Sequence, residues 1–186
     1  METKQRCAWC EKDDLYRNYH DNEWGKPVYD DATIFEFLIL ETFQAGLSWY
    51  TVLAKRENFR KAFDNFDLLK VANYSEDKMA ELAEDAGIIR NKLKIKATVT
   101  NAQAFIKVQE EFGSFSKYIW GFVDGKPIDN HPKTLSEVKA TTPISDALSK
   151  DMKKRGFKFV GSTVMYAHMQ ATGMVNDHVM DCWTRK

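Results

Sequence analysis

The chain has 186 residues, 27 Lys+Arg against 27 Asp+Glu, 44% hydrophobic and 29% charged residues. That length buries one core, and the zero net charge excludes a bulk nucleic-acid condenser, so any basic surface is local. The charged start "METKQRCAWCEKDD" has no apolar run, which predicts neither signal peptide nor membrane span and makes the cytoplasm the expected location.

The chain reads as helices nearly throughout. Asp30 or Asp31 is placed to cap "ATIFEFLILETFQAG", apolar on almost every side and therefore central, with Gly46 at its end. Ser48 caps "WYTVLAKRENFRKAF", and Ser75 opens "EDKMAELAEDAG", which stops at Gly87. A long amphipathic stretch covers "NKLKIKATVTNAQAFIKVQEEFG". Residues 124–144 hold three of the four prolines and read as a loop bridging two parts of the fold. Ser145 caps "DALSKDMKKR", Gly156 ends it, and "FKFVG" leads to a last helix, "STVMYAHMQATG". No set of alternating strands and no repeat is found. The fold class is all-α.

Metal-ligand chemistry is suggested at both ends. His178 and Cys182 are four apart, on one face of a helix, and Cys7 and His20 could complete a Cys2His2 set. Cys7 and Cys10 also form a C-x-x-C, in which Cys10 could displace a histidine. The alternative is three buried cysteines with unrelated histidines. Four protein ligands leave no open position, so such a metal is structural.

Trp9, Tyr16, Tyr19 and Trp24 lie beside these residues, and Trp49 and Tyr50 follow the central helix. Singly each reads as core; together they could sandwich a flat ligand. Glu41 stands at i+4 from Phe37 and i+3 from Leu38, which puts a carboxylate on an apolar face. Burying it is costly without a partner, so a role in a site is favoured over a structural one. Segment 149–173 reads helix, glycine-bounded turn, helix. Gly156 and Gly161 permit close backbone approach, and the following helix N-terminus offers amides to phosphate. Lys150, Lys153, Lys154, Arg155 and Lys158 surround the turn, and Arg90, Lys92, Lys94 and Lys96 could extend a basic patch or form a solvated face.

The stretches "RCAW" (6–9), "LYRNYHDNEWG" (15–25), "QAGLSWYTVLAKRENFR" (44–60), "DAGIIRNKLKI" (85–95), "SDALSKDMKKRGFKFVGST" (145–163) and "VNDHV" (175–179) resemble the bacterial 3-methyladenine DNA glycosylase I family over essentially the whole chain. The resemblance implies a single helix-hairpin-helix glycosylase domain over 1–186, built as two helical lobes, with the hairpin element at about 145–173. It implies one structural zinc on Cys7, His20, His178 and Cys182, leaving Cys10 out. It implies that Glu41 and Tyr19 hydrogen-bond the base, that Trp49 stacks on it, and that Trp9, Tyr16 and Trp24 complete the pocket. Gln44 and Leu47 would press into the gap left in the duplex, while Gly156, Lys158 and Gly161 contact the backbone. The implied partner is double-stranded DNA with alkylated bases, the product free 3-methyladenine, and the working form a monomer with no membrane association. Asp177 receives no role, because the family lacks the catalytic aspartate of its wider superfamily. Ser162 and Thr163 stand where bifunctional relatives place a lysine nucleophile, so a monofunctional enzyme is expected. The rival readings are a non-catalytic zinc-stapled module that binds DNA or a damaged base, and a zinc hydrolase of another kind.

Overall fold

The structure is a computed structural model that describes residues 4–185. Its helices are α1 (Asp14–Asn22), α2 (Asp31–Gln44), α3 (Trp49–Ala54), α4 (Arg56–Ala62), α5 (Leu68–Ala72), α6 (Glu76–Glu84), α7 (Lys92–Phe112), α8 (Phe115–Trp120), α9 (Pro143–Lys154) and α10 (Ser162–Ala171). The all-α expectation holds. Among the described residues a pair of two-residue parallel strands, β1 (Ile128–Asp129) and β2 (Val175–Asn176), ties the proline-rich segment to the C-terminal one. No described helix is long and apolar enough to cross a membrane.

Local chemistry sets the boundaries. The Asp30 carboxylate accepts from Thr33 N at the start of α2, and Ser48 and Ser75 do the same for α3 and α6. Three expected boundaries shift. The stretch after Ser48 is two helices, broken at Lys55, and α6 ends at Glu84 rather than at Gly87. Thr142, not Ser145, caps α9: Pro143 takes the first turn, where a missing N–H costs nothing, and Ser145 completes a reciprocal capping box with Thr142.

Helix α2 runs through the centre, with nine of its fourteen residues buried. It packs against α7, α8 and α10, and its Ile34, Phe35, Leu38, Ile39 and Phe43 join Phe59, Phe63, Phe105 and Met165 in the main core. A smaller cluster of Tyr19, Phe37, Leu53 and Ala171 carries Trp9, Tyr16, Trp24 and Trp49 on its flank. Glu41 thus lies in the stretch 37–43, buried at every position, one turn before the C-terminal end of the helix.

Candidate active site and metal centre

Helix α1 serves two sites at once. Its N-cap Asp13 accepts from Tyr16 N at 2.9 Å, and the helix then presents Tyr16 and Tyr19 to a cavity and His20 to the chain ends. The cavity, about 200 Å³, is lined by Trp9, Tyr16, Tyr19, Trp24, Glu41 and Trp49, together with Gln44 from the end of α2. Every base-pocket residue expected from the sequence is therefore in one place. Leu135 and Val138 of the proline-rich segment, and Ala167 and Gln170 of α10, also line it. Sequence reading missed these four: the first two lie in a segment without periodicity, and the last two reach the cavity only through the packing of α10 on α2.

Glu41 is 2% exposed, and its Oε2 has no hydrogen-bond partner among the described residues. Burial alone pushes its carboxyl well above the usual carboxylate range, because no cation stands by to offset it. Tyr19, 1% exposed, is pushed up by burial and then by the neighbouring Glu41. Trp49 Nε1 is likewise buried without a partner. A buried acceptor and a buried donor, both unpaired in an aromatic cavity, are the signature of a site shaped for a polar, flat ligand. Gln170 donates from Nε2 to Asp177 Oδ2 at 2.8 Å, which fixes its amide and leaves Oε1 as its acceptor. Asp177 also accepts from Tyr166 and Asn130 at 2.7 Å each. It is a buried tie between α10, the proline-rich segment and the C-terminal segment.

Behind the aromatic wall, Cys7, His20, His178 and Cys182 bring one donor atom each within 4.8 Å of one another, all buried. His20 Nε2 is 3.2 Å from His178 Nδ1, Cys182 Sγ is 3.5 Å from both, and Cys7 Sγ is 3.7 Å from His178 Nδ1. The outer nitrogens are committed elsewhere. His20 Nδ1 donates to Asp21 at 2.8 Å, and His178 Nε2 donates to the Trp24 carbonyl at 3.1 Å, so the inner nitrogens turn lone pairs toward the cluster. Asp21 is held at a pKa of about 2: burial pushes it up, but donors from Arg6, His20 and Trp183 outweigh it. Cys182, facing the Cys7 thiol and both imidazoles, ionises far more readily than an ordinary thiol, while Cys7 is pushed up by its contact with Cys182 and by burial. Cys10 stays outside and donates to the Cys7 carbonyl at 3.1 Å. The two sites are mechanically joined, since Trp24 packs edge-on against His178 at 4.6 Å and against Trp9 at 5.0 Å. Gly25 makes this possible: its φ is +77°, and a β-carbon there would sit 2.9 Å from His178 Nε2.

Helices α9 and α10 pack against each other across a short glycine-bounded turn. Gly156 turns the chain at φ +96°, and Gly161 precedes α10 with no side chain capping the first turn, so its amides stay available. Lys158 is exposed. Two basic residues differ from expectation. Arg155 is pinned by Asp151 and Glu111 and lies over the rings of Phe112 and Tyr118. Lys94 is not in a surface patch at all: it is 5% exposed and donates to the carbonyls of Phe43 and Ala45.

Comparison with known proteins agrees with this arrangement. The sequence profile of the methyladenine glycosylase family matches residues 9–186. The chain is 51% identical over 178 residues to the DNA-3-methyladenine glycosylase 1 of Escherichia coli K12, covering 96% of this chain and 95% of the relative. It is 46% identical over 177 residues to the DNA-3-methyladenine glycosylase of Haemophilus influenzae, covering 95% and 96%. A solved structure of 3-methyladenine DNA glycosylase I from Staphylococcus aureus superposes with a TM-score of 0.94 at 38% identity, covering 97% of this chain and 96% of that one. With matches of this length and identity, the chain belongs to the methyladenine glycosylase family of helix-hairpin-helix DNA glycosylases.

Proposed function

We propose that this protein flips an alkylated nucleotide out of duplex DNA, holds 3-methyladenine in the aromatic cavity and lets water hydrolyse its N-glycosidic bond. The observation that carries the reading is Glu41, a buried carboxylate with an unpaired oxygen and no cation beside it. Alkylation at N3 gives the nucleotide's base a positive charge. That charge supplies what the carboxylate lacks, so a cationic base gains more on entry than neutral adenine does. Tyr19 and Glu41 hydrogen-bond the base, Trp49 provides the stacking surface that replaces the lost neighbours in the helix, and Trp9, Tyr16 and Trp24 close the walls.

The cationic base leaves as a neutral molecule, so the reaction needs little acid assistance. Ser162 and Thr163 offer no amine after the hairpin, which fits hydrolysis without a Schiff base. The products are an abasic site and free 3-methyladenine. Gln44 and Leu47 fill the gap in the duplex. Gly156, Lys158 and Gly161 anchor phosphate irrespective of sequence. The chain acts as one domain and as a monomer, in the cytoplasm, with the hairpin element spanning about 145–173.

The cluster at the chain ends fits zinc. A tetrahedral ion with Zn–S of about 2.3 Å and Zn–N of about 2.05 Å has edges of about 3.3 Å between nitrogens and about 3.5 Å between sulfur and nitrogen. The distances of 3.2 Å and 3.5 Å among His20, His178 and Cys182 match those edges, and Cys7 Sγ stands slightly farther out, 3.7 Å from His178 Nδ1. Four protein donors leave no place for water, so the ion would staple the termini and hold the pocket wall rather than take part in the reaction. Release of 3-methyladenine from methylated duplex DNA, followed chromatographically, tests the function; DNA binding without release would favour a non-catalytic module.

A further inference from the structure

Lys94 is the one buried lysine among the described residues. Burying an ammonium is costly and rare, and it persists where its hydrogens are used. Here they are used on a single target. Nζ donates to Phe43 O at 2.8 Å and to Ala45 O at 2.6 Å. Both carbonyls lie at the C-terminal end of α2, where the helix leaves acceptors without partners and a cation is favoured. Burial lowers the pKa of Lys94, and no carboxylate compensates.

The loop so held leads straight to Leu47, which is 44% exposed at its tip, and turns at Gly46 with φ +80°. Two turns further along α7, the fully buried Asn101 holds the hairpin in the same fashion. It accepts from Lys158 N at 2.7 Å and donates to Lys158 O at 3.0 Å. The next residue, Phe159, stands at φ +56°, 37% exposed, with its ring 5.9 Å from Lys94 Nζ. A shallow cleft lined by Gln44, Leu47, Thr163 and Ala167 shows that the loop and the start of α10 are neighbours.

We propose that Lys94 is a positioning residue for duplex DNA: it fixes the Gln44–Leu47 loop to α7, the strut that also fixes the hairpin through Asn101, so that both meet the duplex in one register. This rests on the proposed role of Gln44 and Leu47 at the duplex gap. Trp49 is secured separately, since Ser48 caps α3 through Thr51 N. Loss of the clamp therefore loosens the loop, with Gln44 at the cavity's edge, and leaves Tyr19, Glu41 and Trp49 in place. A lysine that served folding alone would affect both equally.

The test is Lys94→Met, which keeps the apolar stem and removes the ammonium, assayed below its melting temperature with metal content checked. The expected result is free 3-methyladenine affinity within about twofold of wild type and a loss of about tenfold or more in kcat/KM for excision from methylated duplex. Leu47→Ala should lower duplex excision in the wild-type background and have no further effect in Lys94→Met. Lys94→Arg, which retains a cationic donor, should restore most of the loss. Asn101→Ala frees the other end of the strut and should give the same duplex-only defect; it carries the test if Lys94→Met does not fold. Unchanged duplex excision, an equal loss of base affinity, or additivity with Leu47→Ala would overturn the proposal. Wild-type protein that excises nothing would instead refute the functional reading itself.

Discussion

His20 Nε2 and His178 Nδ1, 158 residues apart in sequence, lie 3.2 Å from each other and aim their lone pairs at one point. Such convergence of two imidazoles and two thiols in a buried place is the donor set of a closed metal site. Purified protein is expected to hold one zinc per chain by elemental analysis. Cys7→Ser or His178→Ala should lose it, with a fall in Tm on the order of 10 °C, as loss of several kcal/mol implies for a chain this size. Cys10→Ser should leave metal content unchanged, since its thiol bonds to the Cys7 carbonyl outside the set. A metal-free wild-type preparation would remove the assignment.

Glu41 should trade stability for binding. Its folded pKa is raised above the unfolded value, so the proton it retains favours the native state at low pH. That contribution is complete below the ordinary carboxylate range and is lost as pH rises through the raised pKa. Glu41→Gln removes this dependence. The variant should melt no lower than wild type at pH 7, show its advantage shrinking as pH falls, and hold as much zinc as wild type at each pH. Its affinity for free 3-methyladenine should fall, and excision should fall without vanishing, because the cationic base still leaves and Trp49 still stacks on it. A lower Tm with unchanged base affinity would make Glu41 a structural residue.

Much of this site could be read in the sequence, because short-range rules carry it. Glu41 on an all-apolar helix and the glycine-bounded hairpin are each visible within a few residues. His178 and Cys182 do meet, but not on the helix their spacing predicts: they lie in the non-helical segment between β2 and the last 3-10 turn, Trp183–Arg185. What escaped depends on tertiary packing. Lys94 sits in "NKLKIK", where alternate lysines suggest a solvated face. Its helical spacing to Thr98 and Asn101, at i+4 and i+7, would have put it on a buried polar face instead. Leu135 and Val138 reach the cavity because β1 pairs with β2, a contact between segments 47 residues apart with no local pattern to announce it. Arg155, basic and beside the turn, is claimed by Glu111 and Asp151, partners that no local pattern announces.

Gln170 is expected to matter to base binding although no spacing pointed to it. With Nε2 committed to Asp177, it offers an acceptor beside the cavity. Gln170→Leu should weaken free 3-methyladenine binding by about tenfold, the worth of one hydrogen bond of about 1.4 kcal/mol. Calorimetric titration with unchanged affinity would show that Oε1 does not meet the base.

Lys158 should act on DNA without regard to sequence. Lys158→Glu is expected to weaken binding to methylated and unmethylated duplexes alike and to flatten the dependence of log K on log salt by about one contact or more. An unchanged slope would mean that this side chain does not face phosphate.

On the proposed function, the cavity releases the base by hydrolysis. Wild-type protein incubated with methylated duplex DNA, with the soluble fraction resolved chromatographically and the DNA then analysed for breaks and treated with borohydride, tests it in one experiment. The account predicts free 3-methyladenine, an equal number of abasic sites, intact strands until alkali is added, and no trapped protein–DNA adduct. Bound DNA with no free base, or strands cleaved through a trappable adduct, would contradict it.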